Sequence, residues 1–134
     1  MKSRTVVIAS LALVTLALGA ARSPAEDHHV KAALAPNGSS GVDGFVQLTQ
    51  LPHGGTNIEV VVQHGLRSGT AYSSFYYESD NCTEPADLLG AVNVHPDGSG
   101  ELHGKIDDDL DEVGSVSVRL GPGYGDLQAC AKVH

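Results

Sequence analysis

The chain has only two cysteines, Cys82 and Cys130, and they lie 48 positions apart. No C-x-x-C pair exists, so thiol redox chemistry and thiolate metal sites lack their usual spacing. No G-x-S-x-G elbow surrounds any serine, and no partnered His and Asp are evident, which leaves serine hydrolysis without a footing. Basic residues are few: 8 Lys and Arg against 16 Asp and Glu, a formal charge of −8. They form no cluster, so nucleic acid and anionic membrane surfaces are excluded as partners. Helical periodicity is weak beyond the first twenty or so residues. Only one long apolar run occurs, Val6–Leu18, and it is short for a membrane span.

That run follows Lys2 and Arg4 and precedes the small residues Gly19–Ala21, the pattern of a secretory signal peptide over 1–21. Cleavage near Ala21 would leave about 113 residues, enough for one domain with one core. Losing Lys2 and Arg4 leaves six basic residues against sixteen acidic ones, a formal −10. The mature protein is therefore expected outside the cytoplasm, periplasmic or secreted, and free of the membrane. A polar lead-in is expected over 22–29 and a single domain over 30–134. Two cysteines in an exported chain are expected to pair. A bridge closing 48 residues would contribute about 4 kcal/mol in the chain-entropy description.

The rest of the chain reads as short alternating runs separated by Gly, Pro, Asn and Asp, the pattern of an all-β sandwich or barrel. Eight strands are expected, at His29–Ala35, Asp43–Gln50, Asn57–His64, Ala71–Glu78, Gly90–His95, Gly100–Ile106, Gly114–Leu120 and Leu127–Val133. "HPDG" marks a hairpin between the fifth and sixth. "DDDLDE" at Asp107–Glu112 lacks the spacing and glycine of a calcium loop and reads as a solvated loop. Alternation puts Val116, Val118 and Leu120 on the core face, with Ser115, Ser117 and Arg119 outward. In the fourth strand it assigns Phe75 and Tyr77 to the core, and Tyr72, Ser74 and Tyr76 to the outer face.

"GLRSGTAYSSFYYESDNC" resembles the Gly-Leu-x-x-Gly-x-x-Gly-Phe-His-Val-His-Glu stretch of the copper–zinc superoxide dismutases. "LLGAVNVHPDGSGELHGKID", "VGSVSVRLG" and "LQACAKV" resemble later segments of the same family, in the same order. Earlier, "VKAAL", "GVDGFVQLTQ" and "NIEVVVQHGL" are similar to its first three strands. The resemblance implies that family's eight-stranded Greek-key barrel, with Cys82 and Cys130 at the positions of its intrasubunit disulfide.

The metal chemistry does not follow. The positions of the family's two copper-binding histidines on the fourth strand fall at Ser74 and Tyr76, and a third falls at Arg119. Serine is a poor neutral donor, and a guanidinium stays protonated with no lone pair to offer. A phenolate suits an oxidised metal better than Cu(I). The zinc-bearing loop is reduced to "TEPA" before Asp87, which alone matches a zinc ligand. The guiding loop is reduced to "GPGYGD", with Leu127 where the family has an arginine.

The implied protein is a superoxide dismutase-like domain with no catalytic site and no expected cofactor, a non-enzymatic binding or structural module with an unknown protein partner. Tyr72, Tyr76 and Arg119 form its expected interaction patch, since tyrosine and arginine are common interface anchors. The alternative is copper or zinc binding, or a divergent dismutase, on displaced histidines: His95 and His103 on one hairpin, with His28 and His29 as a separate site in the lead-in.

Overall fold

The computed structural model describes residues 28–134. The expected signal peptide and most of the lead-in lie outside these residues. Nine strands form one antiparallel sheet: β1 (His29–Pro36), β2 (Asp43–Gln50), β3 (Thr56–His64), β4 (Tyr72–Tyr77), β5 (Ala86–Ala91), β6 (Asn93–Val94), β7 (Gly100–Ile106), β8 (Ser115–Leu120) and β9 (Leu127–Lys132). β1 begins at His29, where the first strand is expected. Among the described residues, no helix is long and apolar enough to cross a membrane.

The strands run in the order β5-β4-β8-β9-β1-β2-β3-β7-β6. After the β4–β5 and β6–β7 pairs, β8 returns to lie beside β4, which is Greek-key connectivity. The two ends of this order, β5 and β6, are consecutive in the chain. They are separated only by Val92, whose N–H donates to the Tyr72 carbonyl at 2.9 Å. The sheet thus curls into a nearly closed barrel. The single strand expected at Gly90–His95 is divided here, because its first half pairs with β4 and its second half with β7. Eight expected strands become nine for this reason.

Alternation builds the barrel interior. Val46 and Leu48 of β2, Ile58, Val60 and Val62 of β3, and Val116 and Val118 of β8 are almost fully buried. Burying each such side chain contributes roughly 1.5–3 kcal/mol. Along the seam, Leu89 lies where a Cβ on Gly104 would sit, 2.6 Å from its Cδ1. The missing side chain at Gly104 therefore makes room for Leu89 to fill the gap between β5 and β7. At Gly65 the backbone has φ +102°, and a Cβ would sit 2.2 Å from the Gly41 carbonyl. Only glycine combines that conformation with so close a strand entry.

The "DDDLDE" segment is more structured than expected. It folds into a 3-10 turn, Leu110–Glu112, with Leu110 buried against the barrel end. Asp109 Oδ1 accepts from the Gly55 N–H at 2.9 Å and from Gln50 Nε2 at 3.0 Å. Leu110 N–H in turn donates to Gln50 Oε1 at 2.7 Å. An acidic run becomes a plug because Gln50 and Gly55, around the β2–β3 turn, supply donors to the Asp109 carboxylate and an acceptor to the Leu110 N–H.

Cys82 and Cys130 are bonded, with their Cα atoms 6.1 Å apart. The bridge ties the connection after β4 to β9. Because it closes a 48-residue span, Cys130→Ser should lower unfolding stability by about 2–5 kcal/mol. Urea titration of the variant beside the parent, each with and without reductant, measures this. Equal midpoints for the two unreduced proteins would contradict it.

Candidate functional site

The outer side of β4 and β8 holds the densest polar and aromatic constellation of the fold. On β4 the two faces are exchanged relative to expectation. Tyr72 and Ser74 lie inside the barrel, at 3% and 0% exposure, opposite Leu120 and Val118 of β8. Half-buried Tyr76 shares that face and packs against the core. Phe75 and Tyr77 stand on the outer side, where they are buried with Cys82 in a second apolar cluster flanked by Ala86, Leu127 and Cys130. Ser74 tolerates the interior because its Oγ donates to the Ser117 carbonyl at 2.7 Å. It is unreachable as a nucleophile.

The expected patch of Tyr72, Tyr76 and Arg119 therefore does not exist as a surface. Tyr72 is in the core, with its hydroxyl accepting from the Arg67 N–H at 3.0 Å. Arg119 belongs to the other face, where it spans the outer cluster. Its Nε donates to Tyr77 Oη at 2.9 Å, Nη1 to the Gly125 carbonyl at 2.9 Å and Nη2 to the Cys82 carbonyl at 3.1 Å. The guanidinium lies 3.8 Å from the Tyr124 ring centre. Tyr77 Oη also pairs with Ser117 Oγ at 2.7 Å. Tyr124 meets Phe75 edge-on at 5.0 Å.

This constellation holds a strained connection in place. Cys82 adopts φ +58°, a left-handed backbone that costs a non-glycine residue roughly 1–2 kcal/mol. Its N–H donates to Ser115 Oγ at 2.9 Å, and Ser115 Oγ donates to the Ser79 carbonyl at 2.7 Å. Arg119 and the disulfide complete the clamp. Ser115 and Ser117, expected to point outward, do so but are fully buried beneath this cover.

Phe75, Tyr77, Ser115, Ser117, Arg119 and Tyr124 bring no imidazole or carboxylate to the outer face, and Arg119 has no free lone pair. Burial, and then the Tyr77 hydroxyl, push the Tyr124 phenol up to about 12. Tyr76 on the inner face is also raised, by burial first and then by Asp87, Asp108 and Asp107. Neither phenol ionises near neutral pH.

The expected histidine pair does not converge. In the β6–β7 hairpin His95 N–H donates to the Ser99 carbonyl at 2.8 Å. His103 lies four residues further along β7, about 13 Å from Ser99 at strand spacing, and sits opposite Glu59 of β3. His95 Nε2 is engaged by Glu101 Oε1, and Asn93 Nδ2 holds the other Glu101 oxygen at 2.6 Å. The His28 and His29 pair is also split. His29 bonds Thr49 Oγ1 at 3.0 Å from within the sheet. His28 lines two adjoining depressions at the barrel end, of about 480 and 310 Å³.

Sequence reasoning gave His134 no role, yet it lines the smaller depression with His28 and Asp111. Its Nε2 donates to the Leu110 carbonyl at 3.0 Å. Nearby, carboxylate oxygens of Asp109, Asp111 and Glu112 lie within 4.8 Å of one another. One oxygen of Glu112 accepts from the Asp109 N–H at 2.8 Å. Nothing local could have revealed this meeting of the two ends of the domain, because it depends on β1 and β9 being neighbours. Compared with known protein families and with curated proteins, the chain matches none.

Removing Arg119 strips three backbone and side-chain acceptors of their donor. Arg119→Ala should cost about 1–3 kcal/mol in denaturant unfolding; an unchanged midpoint would deny the clamp its role. At the hairpin, the bond to Glu101 raises the His95 pKa. The same bond lowers the Glu101 pKa, so the charged pair is present between the two values and is lost as pH rises through the raised His95 value or falls through the lowered Glu101 one. In an NMR titration the His95 midpoint should fall in Glu101→Gln; an unmoved midpoint would contradict the pairing.

Proposed function

We propose that this is an exported, disulfide-bonded domain with the superoxide dismutase type of barrel and no dismutase centre, working as a non-enzymatic binding module. The carrying observation is the packed outer face of β4 and β8, where Phe75, Tyr77, Arg119 and Tyr124 bond and stack on one another. If the family's outward histidine pair is set on the outer face of β4, it falls on Phe75 and Tyr77 rather than on Ser74 and Tyr76. Arg119 keeps its place beside them. In either register no histidine ligand is supplied.

The Greek-key connectivity and the Cys82–Cys130 bond support the same reading. A disulfide persists in oxidising compartments, which agrees with the leader-like start of the sequence. The net charge of the mature chain argues further against superoxide as substrate. An anion gains nothing from a strongly acidic surface unless a local positive funnel draws it in. The one guanidinium near the face has three N–H groups already donated.

The alternative of copper or zinc on displaced histidines loses its His95–His103 pair to the register. It retains only the barrel end, where His28 and His134 face one depression. Metal analysis of the purified protein, followed by superoxide consumption after copper loading, separates the readings. Decay at the rate of a metal-free control is expected. Rapid decay abolished by a chelator would overturn the proposal.

A further inference from the structure

Four neighbouring strands, β1, β2, β3 and β7, turn one face into the barrel and the other outward. The register sets the outward side chains in rows. One row is Ala33, Phe45, Val61 and Glu101, and the next is Lys31, Gln47, Glu59 and His103. Lys31, Ala33, Glu59 and His103 are exposed, while Phe45, Gln47, Val61 and Glu101 are half-buried. Phe45 and Val61 join neither buried cluster. Their apolar surface is turned outward, where the Lys31 ammonium lies 4.3 Å from the Phe45 ring centre.

The charges on this face are ordered about β2. Lys31 stands on one side of the uncharged Gln47 and Glu59 on the other, in the same row. The flanks keep the same sense. Lys132 follows Ala131, the partner of Leu34, and so lies beyond β1 next to Ala33. Glu101 lies beyond β3 next to Val61. Lys132 and Glu101 are already engaged by Asp80 and His95. Lys31 and Glu59 form no ion pair among the described residues. Strands about 4.8 Å apart hold them about 10 Å from each other across β2, so neither satisfies the other.

We propose that this face is the contact between two copies of the chain, related by a two-fold axis parallel to β2. Such an axis lays β1 of one copy over β3 of the other and keeps every row in step, with the sheets stacked face to face. Lys31 of each copy then meets Glu59 of the other, so the pair forms twice. Ala33 falls on Val61, and Phe45 falls on Phe45. A two-fold across the strands would lay β1 over β1 and β3 over β3. The outward side of β1 carries no acid and that of β3 no Lys or Arg, so both charges would stay unmatched. The contact is small because the barrel wall curves away on both flanks. A weak dimer in rapid exchange follows, with a Kd of roughly 0.1–1 mM. The proposal goes beyond the reading of a binding module and does not depend on it.

Sedimentation equilibrium and NMR translational diffusion, at concentrations spanning that range, test the proposal. The parent protein should dimerise. Lys31→Glu and Glu59→Lys, both at exposed positions, should each weaken self-association at least about tenfold, because like charges then face each other twice. Mixed one to one, the two variants should recover the dimer, since each introduced charge meets its opposite on the other copy. The double variant Lys31→Glu/Glu59→Lys should recover it alone. Lys31→Gln and Glu59→Gln, which keep the side-chain bulk, should weaken it less and in the same direction. A parent that stays monomeric throughout would overturn the proposal. So would variants that associate as tightly as the parent, or a mixture and double variant that both stay monomeric. None of these readouts involves superoxide. A monomeric parent would leave the proposed function standing, and rapid superoxide decay would leave the dimer standing.

Discussion

The outer side of β4 and β8 hangs from the bond between Cys82 and Cys130. Cys82 belongs to the connection that leaves β4, and Cys130 to β9, which lies beyond β8 in the sheet. The bond therefore draws a polar connection across the sheet and holds it there. Beneath it, Phe75 and Tyr77 are buried on what would otherwise be a wet face. Arg119 and Ser115 then satisfy the backbone groups that the cover brings with it. A positive φ at Cys82 is tolerable only because bonds on several sides fix it.

That cover explains what could and could not be read from sequence. In β8 the valines alternate with Ser and Arg, and the expected core face of Val116, Val118 and Leu120 is the observed one. In β4, "YSSFYY", five of six residues are buried. Where both faces are covered, alternation carries no sign, and the aromatic residues point to the wrong layer. Ser74 reads as outward by polarity but is satisfied inside by a neighbouring carbonyl. A one-residue slip then exchanges the whole set of side chains.

Long-range pairing limited the rest. The hairpin at "HPDG" was legible from its turn residues, but the register that separates His95 from His103 was not. The meeting of His28 and His134 depends on the pairing of β1 with β9. The break at Val92, which makes nine strands of eight, follows from closure of the sheet: one chain segment must serve both ends of the sheet order. The disulfide and the all-β class needed only composition, punctuation and the cysteine count.

The pairing of β1 with β9 has a further consequence, which lies in the order of synthesis. β1 is the first of the described strands to be made and finds one of its two partners, β9, only at the end of the described chain. Until β9 has been made, the β1–β2–β3 meander presents the unsatisfied backbone of β1 to any neighbour. Such non-local pairings fold slowly, and open strands invite the growing chains of other copies. Export of the kind proposed above, through a translocation channel, would keep the chain extended and solitary over this interval, so that the first and last of the described strands would meet only after the whole domain had emerged.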